Sequence, residues 1–157
     1  MSAKRELLFS TLYSRVCEIP DFVYKSRLFK IYDDIAIESQ PAIIMCKGQE
    51  EIITAKGMPP IWKLEGSLYI YCRNDFDTSI SPSIQLNNLL QRVEEVFERK
   101  PNETVSANAD FQNALDFTTT LGGLCVSCSI NGRIVTDEGT LGNQAVALVP
   151  FEITTTA

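Results

Sequence analysis

The stretch that decides the fold is Ile61-Trp62-Lys63-Leu64-Glu65-Gly66-Ser67-Leu68-Tyr69-Ile70-Tyr71-Cys72-Arg73. From Trp62 onward, apolar or small residues occupy every second position, and polar, charged or aromatic residues occupy the positions between them. A period of two over this length predicts one long β-strand with an apolar face. Two tyrosines, Tyr69 and Tyr71, lie on the other face, so we expect that face to pack on a neighbour.

Two amphipathic helices are predicted on either side of this strand in the sequence. The first covers residues 3–18, and the second covers residues 82–99 with Ser81 as its N-cap. Each has one apolar stripe at helical spacing, and a helix of this kind covers one face of a sheet. The stripes are formed by Leu8, Leu12 and Val16 in the first helix and by Leu86, Leu89, Leu90, Val93, Val96 and Phe97 in the second.

Further strands are predicted on both sides of the second helix. Between two β-prone runs, Asn131-Gly132 is a strong hairpin signal, because a type I′ turn needs two positive φ angles. The resulting fold class is α+β, with a mixed, largely antiparallel sheet and two main helices packed on one face. The added strands are predicted over Ala42–Lys47, Leu124–Ile130, Arg133–Thr136 and Ala145–Ile153.

A glycine-containing loop is predicted over Asp137–Gln144, longer than a minimal hairpin turn. Glycine adopts positive φ at no steric cost, so we expect at least one of Gly139 and Gly142 to do so. The last strand has apolar residues on both faces, which predicts a central or covered position. Pro150 lacks an N–H and predicts an interruption of pairing on one side of that strand.

Composition restricts the classes of function. The chain has 157 residues, which fits a single domain over residues 1–157. Asp and Glu total 20 against 14 Lys and Arg, so the net charge is -6. An acidic chain disfavours a nucleic-acid-binding surface, because phosphate contacts need clustered Lys and Arg. The histidine count is 0, which excludes Ser-His-Asp and Cys-His catalysis and zinc sites that use histidine.

No signal-peptide core or run of about 20 apolar residues is found in the sequence. We therefore expect folding in a cytoplasm, with the cysteines reduced and buried. Cys125 and Cys128 have the spacing of a redox or metal-binding CxxC motif, but they fall on a predicted strand. Residues three apart in a strand point to opposite faces, so we expect the two thiols to diverge. We also expect no catalytic residue, metal or cofactor.

The C-terminal third contains the longest recognisable motifs, and shorter motifs lie in the middle of the chain. Together they resemble the minor tail proteins of tailed bacteriophages, in particular the lambda-type tail terminator family. The resemblance extends over about residues 1–153, and its motifs are structural rather than catalytic. The motifs are Thr120-Leu121-Gly122-Gly123-Leu124, Ile130-Asn131-Gly132, Thr136–Pro150, Gln40-Pro41-Ala42, Gly57–Leu64 and Leu86-Asn87-Asn88-Leu89-Leu90.

The resemblance implies a small α/β domain that assembles into a ring, as a rule a hexamer. Such a ring caps the tail tube, ends its polymerisation and joins the tail to the head. It also implies the tail tube protein and head–tail connector proteins as partners. The implied location is the virion tail, after assembly in the host cytoplasm. Genome DNA passes through the ring without sequence-specific binding.

Two sets of site residues follow for a ring. We expect a subunit interface at Trp62, Tyr69, Tyr71, Glu50 and Glu51, within a region that includes Gln49–Lys56. Because an acidic lumen would keep DNA from adhering, we expect four carboxylates to face the channel. These are Glu50, Glu51, Asp137 and Glu138.

The sequence leaves three other functions open. One is the neighbouring role of a tail-completion or head–tail connector protein. The second is a small enzyme that depends on thiols or carboxylates, and the third is a monomeric ligand-binding module. Solution mass, or an image of rings, distinguishes the assembly roles from the last two.

Overall fold

The strand predicted over residues 61–73 has those bounds in a computed structural model of the chain. The structure describes residues 2–74, 81–98, 120–139 and 142–156. The elements in chain order are α1 (Ser2–Cys17), β1 (Tyr24–Ser26), β2 (Ala42–Ile53), β3 (Ile61–Arg73), α2 (Ser83–Phe97), β4 (Ser127–Ile130), β5 (Val135–Gly139) and β6 (Gly142–Thr156). Two short 3₁₀ turns between β1 and β2 cover Tyr32–Asp34 and Ile37–Ser39.

Both predicted helices are present. α2 begins at Ser83, so Pro82 and not the predicted Ser81 occupies the N-cap position. The Ser81 hydroxyl nevertheless accepts a hydrogen bond from the Ser83 amide N–H at 3.2 Å, the kind of bond that a capping serine makes. The predicted second helix ends at residue 99, which lies outside the described residues. The helix itself ends at Phe97.

The sheet has six strands in the order β1-β2-β3-β6-β4, and β5 also pairs with β6. Among the described residues, only β1 and β2 pair in parallel, and the other four pairings are antiparallel. β3 and β6 pair without a break, from Ile61 opposite Thr156 to Arg73 opposite Gln144. The fold is therefore α+β with a mixed, mostly antiparallel open sheet, as predicted.

Both helices pack on the same side of the sheet, which we call the helix face. Their apolar stripes meet alternate side chains of β2, β3 and β6 in one continuous core. The ring of Phe151 lies at the centre, with ring centroids 6.2 Å from both Phe9 and Phe97. Alternation along β3 thus places its apolar face against the helices, in agreement with the pattern of the sequence.

The opposite side of the sheet, the second face, has a smaller core that the chain covers itself. The cover comes from within residues 22–40, which we call the covering segment; its first residue, Phe22, is buried in the helix-face core instead, and β1 is a strand of the sheet. Its Ile35 is buried with Ala42, Ile44 and Tyr71. The neighbour predicted for the aromatic side of β3 is therefore, at this end of the strand, another part of the same chain.

The hairpin predicted at Asn131-Gly132 is wrong. β4 and β5 do not pair with each other; both pair with β6, one after the other along the same edge. The break between them falls at Pro150, whose carbonyl accepts a hydrogen bond from the Asn131 N–H at 3.1 Å. In an antiparallel strand the N–H and C=O of one residue point to the same side. The missing N–H of Pro150 thus faces the break, as predicted from its lack of a donor.

The loop predicted over Asp137–Gln144 is shorter than expected. Asp137 belongs to β5, and the ladder with β6 extends to Gly139 opposite Gly142. Gly142 has a φ of 70°, which confirms the prediction that one of the two glycines adopts the left-handed region. The predicted central position of the last strand is also confirmed, since β6 lies between β3 and the β4–β5 edge.

Substitution of Gly142 tests this conformation. A Cβ at this position meets no atom within 4 Å, so the backbone conformation is the main constraint on Gly142→Val. The left-handed region costs an L-residue about 1–2 kcal/mol, which corresponds to a fall in Tm of roughly 2–8 °C for a domain of this size. Gly142→Asn is the matched control and should lose less, because Asn tolerates this region. Equal Tm values for wild type and Gly142→Val in thermal melts would contradict the assignment.

Candidate contact surfaces

The described residues hold no cluster of three His, Cys, Asp or Glu side chains that could bind a metal ion. Cys125 and Cys128 were expected to diverge on one strand, and this expectation is wrong. β4 begins only at Ser127, so Cys125 lies in the preceding turn, and both side chains are buried in the helix-face core. Because Cys125 is outside the strand, the rule of alternating faces does not apply to the pair.

Burial raises the pKa of the Cys125 thiol to about 11 and that of Cys128 to about 12. Thiols with such pKa values are protonated at neutral pH, whereas the thiolate is the nucleophile and the metal ligand. The pair therefore packs as small apolar side chains. This argues against a thiol-dependent reaction at the motif.

A depression on the outer face of α2 has several carboxylates in its lining. One of them, Glu95, also lies 3.4 Å from Arg92 in an ion pair within the helix. Most of the lining side chains are exposed, as on the solvated face of an amphipathic helix. The lining residues are Asn87, Leu90, Gln91, Glu94, Glu95 and Glu98.

The two predicted acid pairs lie far apart. Glu50 and Glu51 are near one end of the sheet, and Asp137 and Glu138 are near the other. Through the strand pairings, Glu50 is level with Ile153 of β6 and Asp137 is level with Val146, seven residues away. That separation is about 24 Å of extended strand. The structure therefore does not bring the four carboxylates into one patch.

Each acid pair also divides between the two faces, because neighbouring residues in a strand point to opposite sides. Glu50 and Glu138 lie opposite residues of the helix-face core, so they are on the helix face. Glu51 and Asp137 are on the second face. A channel lined by one face would therefore receive one carboxylate from each pair.

Trp62 lies at the end of the helix face beside the first turns of α1. Its ring is 5.7 Å from the Arg5 guanidinium carbon, and Arg5 Nε is 2.7 Å from a Glu50 carboxylate oxygen. The indole N–H is buried and has no hydrogen-bond partner among the described residues. This cluster ties α1 to the far end of β2 and β3.

Tyr71 is almost fully enclosed by its own chain. It is 2% exposed, and its hydroxyl donates a hydrogen bond to the Lys30 carbonyl at 2.8 Å. The Tyr32 ring packs on it edge to face, and Phe29 packs on Tyr69 in the same way at 5.0 Å. Tyr71 therefore holds the covering segment in place and offers almost no surface to a partner, whereas Tyr69 is half-buried.

A run of exposed residues marks the connection between β2 and β3. All side chains from residue 47 to residue 59 are exposed. The end of this hairpin, residues 52–61, we call the hairpin tip. Four large apolar side chains are exposed on it: Ile52, Ile53, Met58 and Ile61.

A second group of exposed apolar side chains lies on the covering segment. We call it the segment patch, formed by Val23, Leu28, Phe29, Ile31 and Ile37. The most exposed member is Leu28, at 70%. The interface predicted from the sequence included most of the hairpin connection but none of this patch. A signal for the patch is present in the sequence: residues 22–40 contain several large apolar side chains without a clear period.

No protein-family model matches the chain, and a search of curated proteins gives no match. None of the helices in the described ranges is both long and apolar enough to cross a membrane. The fold and the exposed surfaces are therefore the structural basis for a functional proposal.

Tyr71→Phe tests the attachment of the covering segment. The variant loses one hydrogen bond, and we expect its free energy of unfolding at pH 7 to fall by about 1 kcal/mol. Burial raises the pKa of Tyr71 from 10.0 to about 12. A folded-state pKa above the unfolded value means that this stabilisation is complete below pH 10 and is lost as the pH rises through 12.

The stability difference between wild type and Tyr71→Phe should therefore shrink above pH 10 and change sign before pH 12, because a rise in pKa from 10.0 to about 12 outweighs one hydrogen bond. Thermal or urea melts across this range measure it. The buried thiols titrate in both proteins, so the difference isolates the phenol. A difference that stayed constant up to pH 12 would contradict the burial of a neutral Tyr71.

Proposed function

We propose that the chain is the structural subunit of a homo-oligomeric ring, a tail terminator of the lambda type. The observation that carries the proposal is the concentration of nine exposed large apolar side chains in two stretches of the chain, the hairpin tip and the segment patch. Monomeric proteins rarely expose large contiguous apolar patches, and such patches mark contacts between proteins. The kind of assembly that we propose, a tail terminator ring, is taken from the resemblance in sequence.

Two further features support a structural role over catalysis. The thiol pair is buried and protonated, and the lining of the α2 depression is mostly exposed. The α+β architecture with two helices on one face of the sheet agrees with the fold that the resemblance implies. The proposed partners are further copies of the chain, the tail tube protein and the head–tail connector proteins. The proposed location is the virion tail.

The purified chain should form rings of several copies, with six as the expected number. Light scattering should then give a mass near six times 17.5 kDa, and negative-stain images should show closed rings. A monomer at all concentrations tested would contradict the proposal.

Tube capping separates a terminator from a connector or completion protein. Added to polymerising tail tube protein of the same phage, the ring should stop elongation and bind one tube end. Labelled protein on virions should lie at the head-proximal end of the tail. A ring that binds heads but leaves tube growth unchanged would favour the connector role.

An acidic channel is the expected electrostatic property of such a ring. A net charge of -6 on each chain creates a strong negative field when several chains surround one axis. If the helix face lines the channel, Glu50 and Glu138 face the DNA; if the second face does, Glu51 and Asp137 face it. A ring structure with a lumen lined mainly by Lys and Arg would contradict this prediction.

A further inference from the structure

The hairpin tip and the segment patch lie on one molecule but cannot meet within it. The patch is anchored where Phe29 packs on Tyr69, eight residues along β3 from Ile61. Eight residues of strand extend about 27 Å. β3 is continuous through this interval, where it pairs with β6 in an unbroken ladder. The tip therefore has no access to the patch of its own chain.

The two surfaces are complementary in their apolar content. Ile53 and Ile61 are cross-strand partners, and by alternation from Tyr69 they are on the second face, the face that the covering segment occupies. Met58 is 65% exposed at the turn and Leu28 is 70% exposed on the patch. Contact between the two surfaces therefore removes apolar area of both from water, and this removal is the main driving force for association.

The two surfaces are also complementary in charge. Residues 52–61 contain one charged side chain, Lys56, which is exposed. The covering segment contains three cations, Lys25, Arg27 and Lys30, which are half-buried, and three carboxylates, Asp33, Asp34 and Glu38, which are exposed. Arg27 is also ion-paired with Glu6. The exposed charges of the segment are therefore negative and that of the tip is positive, and opposite fields favour correct pairing and orientation.

We propose that the hairpin tip of one copy docks on the segment patch of the next copy, in a head-to-tail contact. A contact between two different patches is heterologous, and its repetition closes into a ring when the rotation between copies allows it. The inference rests on the proposed ring and identifies the pair of surfaces that builds it. A second copy is the chosen occupant because both complementary surfaces are carried by this one chain.

Two single variants test the contact. Met58→Asp places a charge in the tip, and Leu28→Asp places one in the patch. Both side chains are exposed in the monomer, so we expect variants with the circular dichroism spectrum of the folded protein and loss of the ring; their melting temperatures should fall only by the stabilisation that association gives the wild type. Ile84→Asp on α2 is the matched control, since Ile84 is 62% exposed and lies outside both surfaces. The control should form rings as wild type does.

Mixing the two variants gives the decisive measurement. The Leu28→Asp variant keeps an intact tip, and the Met58→Asp variant keeps an intact patch. A head-to-tail contact therefore allows one junction between the two variants. Light scattering should show a dimer of about twice the 17.5 kDa chain mass and no ring. If the tips paired with each other, the mixture would contain no dimer of unlike variants, and the inference would be overturned.

Charge reversal gives an independent readout that does not depend on either apolar variant. Lys56→Glu should weaken the ring, and Asp33→Lys with Asp34→Lys should weaken it as well. All three changes in one chain should restore it, because every junction again pairs opposite charges. Failure of the combined variant to regain any ring mass would count against the contact.

The outcomes separate this inference from the proposed function. If the Met58→Asp and Leu28→Asp variants form rings as the wild type does, the proposed contact is overturned and the proposed ring is not. A wild-type chain that stays monomeric would overturn both. Rings with the predicted contact that fail to cap tubes would remove the terminator role and leave the contact standing.

Discussion

The uninterrupted ladder between β3 and β6 is the constraint on which the other elements depend. It joins Ile61–Arg73 to Gln144–Thr156 residue by residue, so the register of one strand fixes which side chains of the other point to each face. A shift by one residue would reverse both faces at once. The helix-face core, centred on Phe151, and the smaller tyrosine core on the second face therefore require the same register.

Much of the fold could be predicted because its signals are local. The alternation around β3 and the apolar stripes of the two helices are visible within about a dozen residues, and Pro150 marks an interruption that depends only on its missing donor. Strand pairing is different, because it depends on distant segments. Asn131-Gly132 has the local chemistry of a hairpin, yet the strands that flank it gain more by extending along β6, which is buried and central.

The contact surfaces could be predicted only in part. Tyr69 and Tyr71 were recognised as a face that needs a cover, but the sequence does not show that residues 22–40 of the same chain supply it. That segment has no period, and its position depends on single contacts such as the Tyr71 hydroxyl with the Lys30 carbonyl. The acids were identified individually, while their division between two faces and two ends follows from strand pairing alone.

The outer edge of β2 has a consequence for how copies of the chain can associate. In the described part of the chain, β1 pairs with only the first three residues of β2, and a bulge lies between Lys47 and Glu50. Beyond β1 this edge carries charged side chains and an irregular backbone, the features by which natural sheets resist edge-to-edge aggregation. Backbone pairing between molecules is thereby discouraged. Association through side chains can then end at a fixed number of copies, whereas an open row of strands would continue to grow as a fibre.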